Sequence, residues 1–222
     1  MNKLSKRLEI ISSLVTGRVI ADVGCDHGKL AYNLLKSNVI EHAYISDISR
    51  SSLQKAIDLL SKNNMNYTAI CCDGLSGYNN VKLDECIIAG MGGEEIIKII
   101  SNSNAEVSSY LISPQHNIIE TKKFILGLDY IITFDIIIKD KNKFYNIIKC
   151  EKSINKQDYT ELDLYFGKDS FIDNRSDISE FIELEIYKNK QLLCKVNNEK
   201  VNEINHYLDL LIEAKRKVTN YE

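Results

Sequence analysis

Residues 4–14 (LSKRLEIISSL) place Leu4, Leu8, Ile11 and Leu14 at helical spacing, and Gly17 ends that helix. The apolar run 18–24 closes in an acid and a glycine, which predicts a buried parallel strand. A helix over 28–37 follows, then a second strand over 43–49. The next helix, 51–64, carries Leu53, Ala56, Ile57 and Leu60 on one side. Runs 67–74 and 84–93 are predicted as the third and fourth strands, the latter leading into a helix over 94–100. A fifth strand over 109–115 precedes a helix over 117–128. Two long apolar runs, 130–140 and 143–152, flank Asp140–Asn142, a turn short enough for a β-hairpin.

Strands alternate with helices up to that hairpin. The pattern predicts an α/β fold: a Rossmann-like doubly wound, mostly parallel sheet with an antiparallel C-terminal hairpin. Residues 151–175 show no clear periodicity. Beyond them Ile178, Ile182, Ile186, Leu193 and Val196, then Val201, Ile204, Leu208, Leu211 and Val218, return to helical spacing. The second set steps as a heptad seam, with Asn197 and Asn198 as a turn between the sets. Either a zipped helical hairpin or two amphipathic helices packed on the sheet domain fits. The expected division is 1–152 as a Rossmann-like domain and 153–222 as a small helical, coiled-coil domain. A monomer is expected, with a dimer through the seam as the alternative.

Charge changes this picture only locally. The 222 residues carry 28 Lys+Arg and 31 Asp+Glu, a formal net charge of −3. Segments 1–150 and 151–222 carry +1 and −4 respectively. A protein that coats nucleic acid by bulk charge is therefore excluded, and a local basic face is not. Candidate faces are Lys3, Lys6 and Arg7; Lys122 and Lys123; Lys139, Lys141 and Lys143; and Lys215, Arg216 and Lys217. The six cysteines form no CxxC pair, and no run approaches 18 uncharged apolar residues. A cytoplasmic protein with reduced thiols, no metal centre and no membrane span is expected.

The candidate chemistry sits at the strand ends. The loop Asp22-Val23-Gly24-Cys25-Asp26-His27-Gly28-Lys29 fits neither GxGxxG nor a P-loop, and its acids would repel phosphates. An adenosyl ligand without phosphates and with a cationic amino acid suits Asp22 and Asp26, and S-adenosylmethionine is such a ligand. Asp47 closes the second strand, where an acid can chelate ribose hydroxyls. Asp73 and Gly74 close the third, where a carboxylate can accept from an adenine amino group. Each acid alone could be a helix cap; together they favour a cofactor site. Ala89-Gly90-Met91-Gly92-Gly93 follows the fourth strand and permits close backbone approach to a flat acceptor.

These segments, with KLSKRL (3–8), IAGMGG (88–93), LISPQHN (111–117) and KDKNKFY (139–145), resemble the bacterial tRNA adenine-N1-methyltransferases that modify adenine 22, the TrmK family. The resemblance implies a class I methyltransferase domain, S-adenosylmethionine as donor, tRNA as acceptor and a coiled-coil C-terminal domain. It implies that Asp22, Gly24, Cys25, Asp26, His27, Asp47, Ile48, Asp73, Gly74, Ala89 and Gly90 bind the cofactor. Asp26, His27, Gly90, Met91 and Gly92 would form the catalytic side. Neutral adenine offers a lone pair at N1, so alignment rather than proton removal is the main requirement. N1 lies on the pairing edge, so the base must be extruded and stacked, for which Tyr32, Tyr78, His116 and Tyr145 are candidates. Two other readings stay open: a class I methyltransferase acting on another RNA, DNA or small molecule, and a degenerate Rossmann domain that binds partners through its coiled coil.

Overall fold

The computed structural model describes residues 4–196 and 198–219. Seven apolar, β-branched-rich segments form one sheet: β1 (Val19–Val23), β2 (His42–Asp47), β3 (Tyr67–Cys71), β4 (Lys82–Ala89), β5 (Glu106–Ser113), β6 (Tyr130–Asp140) and β7 (Lys143–Lys152). Their order is β3-β2-β1-β4-β5-β7-β6. β1 to β5 run parallel, and β7 is antiparallel to both of its neighbours. The hairpin turn is tighter than the sequence suggests. Asp140 pairs with Lys143, so only Lys141 and Asn142 leave the ladder, and Lys141 adopts φ +56°.

Helices α1 (Lys6–Leu14), α2 (Lys29–Lys36) and α3 (Arg50–Lys62) cover one face of the sheet. Ile11, Leu34, Ala56 and Leu60 pack there against Ile20, Ile45 and Ile87. Helices α4 (Gly93–Ser101) and α5 (Ile118–Leu126) cover the other, with Ile96, Ile99 and Ile125 against Ala21, Cys86, Ile88 and Ile112. Ile87 and Ile88 thus face opposite layers, which is why the strand reads as a continuous apolar run rather than an alternating one. Serines cap two of the helices: Ser5 accepts from Leu8 N at α1 and Ser49 from Ser52 N at α3.

The stretch without periodicity holds two short helices, α6 (Glu161–Phe166) and α7 (Ser170–Asp173). They escape a periodicity reading because each is under two turns. α6 does carry a capping box, in which the Thr160 and Asp163 side chains each accept from the other's backbone N–H. Helices α8 (Arg175–Leu193) and α9 (Asn198–Thr219) pack on each other through Ile178, Ile182, Ile204, Leu208 and Leu211. Leu210 and Ala214 are buried as well, so α9 buries a wider stripe than a two-position seam. The same core takes in Phe166, Phe171 and Ile137 of β6, so the helical pair is both zipped and docked on the hairpin. Of the expected turn, Asn197 lies outside the described residues and Asn198 opens α9. Among the described residues, no helix is long and apolar enough to cross a membrane.

Candidate active site

The strand order reverses between β1 and β4, and in open α/β sheets ligands bind outside the carboxyl ends of the strands at that switch point. Here the loops Gly24–Gly28 and Gly90–Gly92 meet. Gly24 N and Cys25 N both donate to Ser46 O (2.8 and 3.0 Å), which ties the first loop to the end of β2. Asp26 N donates to Asp47 Oδ2 at 3.2 Å, and Ser49 N to Asp47 Oδ1 at 2.8 Å. Asp47 is therefore a cap and a loop tie while also facing the site. Asp26 takes φ +49°, a left-handed conformation that Asp tolerates better than most residues. Its Oδ2 lies 2.8 Å from His27 Nδ1, with both side chains open to solvent.

Two cavities flank these loops. The first, of about 220 Å³, is walled by Gly24, Asp47, Ile48, Asp73, Gly74, Gly90, Met91 and Glu95, among others. Its wall contains three carboxylates and no Lys or Arg. Ile48 stands 73% exposed, an apolar surface suited to the face of a flat ring. Asp73 Oδ2 also meets Lys98 Nζ at 3.6 Å behind the wall. The second cavity, of about 150 Å³, is lined by Arg7, Leu8, Asp22, Gly24, Cys25, Asp26, His27 and Lys29, among others. Gly24 and Ala89 belong to both.

The predicted site residues are thus divided between two adjoining cavities rather than gathered in one. Gly92 lines neither. It lies under the His116 ring, which a side chain at position 92 would strike. Gln115 N donates to Met91 O and Gly93 N to His116 O, both at 2.9 Å, so the loops after β4 and β5 are laced together.

Burial pushes the carboxyl of Asp22 up to about 7, against the lowering effect of a hydrogen bond from the Ala31 backbone and with a further push from Asp47. Its Oδ2 is buried and has no hydrogen-bond partner. Burial, followed by the charges of Asp22 and Asp47, also drives the Cys25 thiol upward, so it is a neutral wall rather than a nucleophile. A buried, unpartnered carboxyl oxygen beside a phosphate-averse, acid-lined cavity fits a cationic adenosyl ligand.

Several sequence expectations need correction. Tyr78 is completely buried against Tyr44 and cannot stack an incoming base. Tyr32 reaches Asn63 at the far end of α3. Of the other two aromatic candidates, His116 lies against Gly92, and Tyr145 lies under Arg7, which lines the second cavity. Lys122 is fully buried in an ion pair with Asp135, so it presents no charge to a polyanion. Lys6, Lys139 and Lys215 are engaged by Asp177, Glu180 and Glu183. Lys3 lies outside the described residues. Sequence reasoning missed Glu95 and Ile99 as cavity walls. Arg7, part of a candidate basic face in the sequence, turns inward to line the second cavity.

Gly24→Ala is expected to weaken S-adenosylmethionine binding at least tenfold. The new Cβ would push aside Met91 Cε, which lies in the cavity wall, and alanine at φ +70° costs roughly 1–2 kcal/mol. Calorimetric titration checks this; unchanged affinity would remove Gly24 from the cradle.

A family model described as a methyltransferase domain matches residues 4–148. The chain is 31% identical over 170 residues to a putative tRNA methyltransferase of Mycoplasma pneumoniae, covering 74% of this chain and 79% of that one. It is 23% identical over 171 residues to the tRNA (adenine(22)-N(1))-methyltransferase of Bacillus subtilis, covering 74% and 72%. The structure of M. capricolum TrmK in complex with S-adenosyl-homocysteine superposes with a TM-score of 0.89 at 25% identity, over 97% of this chain and 99% of that one. With a model spanning well over half its length and a relative above 30% identity, the chain belongs to the methyltransferase-domain family, among the bacterial tRNA methyltransferases of the TrmK type.

Proposed function

We propose that the protein transfers a methyl group from S-adenosylmethionine to N1 of adenine 22 in tRNA. The observation that carries this reading is the acid-lined, lysine- and arginine-free cavity at three successive strand ends, which opens onto the Gly90–Met91 turn. Its support from relatives is the Bacillus subtilis enzyme of that activity and the TrmK structure holding the demethylated cofactor. When bound, S-adenosylmethionine supplies an electrophilic methyl group.

Asp47, Ile48, Asp73 and Gly74 would hold its adenosine half, and Gly24, Cys25, Asp22 and Asp26 its amino acid half. Adenine N1 needs no prior deprotonation, so the chain's main task is to hold nucleophile and donor in line. Positioning of this kind accounts for roughly 7–11 kcal/mol of a barrier. Gly90 and Met91 present an open turn to the flat base. The base gains positive charge as N1 is methylated, and the Asp26 carboxylate, held by His27, stabilises that charge.

The division proposed is 1–152 for catalysis and 153–222 for the helical domain, in a cytoplasmic monomer that has no resident metal. Among the described residues, no group of three His, Cys, Asp or Glu side chains converges as a metal site. Incorporation of labelled methyl into a tRNA transcript with adenine 22, compared with one carrying guanine there, tests the reading. Equal labelling of the two would refute the position, and no labelling of either would refute the activity.

The pH dependence of donor binding follows from Asp22. Its carboxyl, raised from 3.8 to about 7 by burial, keeps its proton in the folded protein until near neutrality. Ionisation therefore costs stability as pH rises from about 4 to 7, while a cationic group binds only the ionised form. Affinity for S-adenosylmethionine is expected to strengthen up to about tenfold per pH unit below 7 and to level off above it. Asp22→Asn should flatten that profile; a steep profile retained in the variant would show that another group is responsible.

A further inference from the structure

Arg7 stands in the first turn of α1, beside the β6–β7 turn. Its backbone N–H donates to Asp140 Oδ2 at 3.2 Å, pinning the helix start to the hairpin. Its guanidinium lies over the Tyr145 ring, 4.8 Å from the centroid. Asp140 engages only the backbone of Arg7, and Nη1 of the guanidinium is buried with no hydrogen-bond partner.

The guanidinium also faces Gly90. A Cβ built there would lie 3.7 and 3.9 Å from Arg7 Nη2 and Nη1 and 3.8 Å from Gln115 Nε2. Donors therefore converge in front of the Gly90 turn, and the protein gives Nη1 nothing to bond. A buried charged donor left unmade is costly, which points to an acceptor brought by a ligand.

The acceptor's charge follows from the reaction. The base becomes cationic as N1 is methylated, so a guanidinium at its reacting edge would oppose the step, whereas one at an anionic oxygen of the same nucleotide would not. The surroundings agree. Arg7 lines the cavity that holds Asp26 and His27. That cavity shares Leu8 and Lys29 with a groove of about 510 Å³, which is lined also by Leu4, Lys6, Asp140 and Lys141. Lys29 and Lys141 stand on its rim beside Asp140, with Lys6 paired to Asp177.

We propose that Arg7, braced on Tyr145, grips a phosphate of the extruded target nucleotide and so sets the base over Gly90. The inference rests on the tRNA methyltransferase reading. A planar guanidinium held over an aromatic ring is restrained for two parallel bonds to a phosphate, and lysine is not a substitute there. Arg7 serves the anionic half of the nucleotide while Asp26 serves the half that becomes cationic.

Arg7→Ala, Arg7→Lys and Tyr145→Leu test this against tRNA and S-adenosylmethionine separately. Arg7→Ala should lower kcat/KM for tRNA by roughly 10–100-fold, the loss of a charged hydrogen bond. Affinity for S-adenosylmethionine should fall by a clearly smaller factor, since Arg7 also lines the cavity given to the donor's amino acid half. The slope of log Kd for tRNA against log salt should fall by about 0.7, one phosphate contact. Arg7→Lys should keep that slope while losing about tenfold in kcat/KM, and Tyr145→Leu should lose a similar factor with its charge intact. Methylguanidinium should partly restore Arg7→Ala.

An unchanged salt slope, or equal loss of tRNA and S-adenosylmethionine affinity, would overturn the proposal and leave Arg7 as a structural staple. If Arg7→Ala does not fold, the Arg7→Lys and Tyr145→Leu results decide. Active wild-type protein with unaffected variants refutes only the role of Arg7; inactive wild-type protein refutes the function beneath it.

Discussion

Asp26→Asn is expected to lower kcat by roughly 10²-fold, the usual loss when one preorganised group facing developing charge is removed. Its melting temperature should stay close to that of the wild type. The Asp26 side chain is 70% exposed, and among the described residues its hydrogen bond is with His27. Asparagine also tolerates the left-handed backbone that this position requires. The tie from Asp26 N to Asp47 runs through the backbone and survives the change. What is lost is the carboxylate charge near the methylated base and the anchor of His27. Steady-state kinetics with tRNA, alongside titration of S-adenosylmethionine, separate turnover from donor binding. A kcat within twofold of wild type would remove Asp26 from the mechanism.

Lys122→Met is expected to have the largest effect on stability. Lys122 Nζ and Asp135 Oδ2 lie 2.7 Å apart, and both side chains are wholly buried. The ammonium also donates to the carbonyls of Asp163 (3.2 Å) and Leu164 (2.9 Å), and so links α5, β6 and α6. Burial pushes Asp135 up to about 6, against the opposing pull of Lys122, and the same burial draws Lys122 downward.

Removing one partner strands a buried charge and two carbonyls, which typically costs about 3–5 kcal/mol. For a chain of this size that corresponds to a melting temperature lower by on the order of 10 °C. Lys122→Met with Asp135→Leu should recover the part of the loss due to the stranded charge, since an apolar pair needs no counter-charge, while the two carbonyls and the Tyr159 hydroxyl stay unpaired. Urea titration with both variants checks this. A single variant as stable as the wild type would show that the pair adds nothing to the join between sheet and helices.

The sheet was legible because the first four parallel strands are apolar runs stopped by an acid or a glycine, and those stops are the site itself. Asp47 and Asp73 could be named from the chain because the fold class decides which strand end faces the switch point. Periodicity could not reach α6 and α7, whose few residues are ordered by a capping box and by Phe166 and Phe171 in a shared core. Lysines resisted reading for a different reason. In sequence Lys122 and Lys123 look alike, yet the helix turns the first into the core to meet Asp135, 13 residues further along the chain. Arg7 and Lys6 separate in the same way: Lys6 pairs with Asp177 while Arg7 turns toward Gly90. Which face of a helix is buried follows from the pattern; which long polar side chain follows it inward depends on the partner waiting there.

The proposed reaction is methyl transfer to one atom of one nucleotide. Purified protein, S-adenosylmethionine and an unmodified tRNA transcript, followed by nucleoside mass spectrometry and mapping by reverse-transcription arrest, test it most directly. The expected result is 1-methyladenosine at position 22 and nowhere else. N6-methyladenosine, methylation at another position, or an unmodified transcript would contradict it.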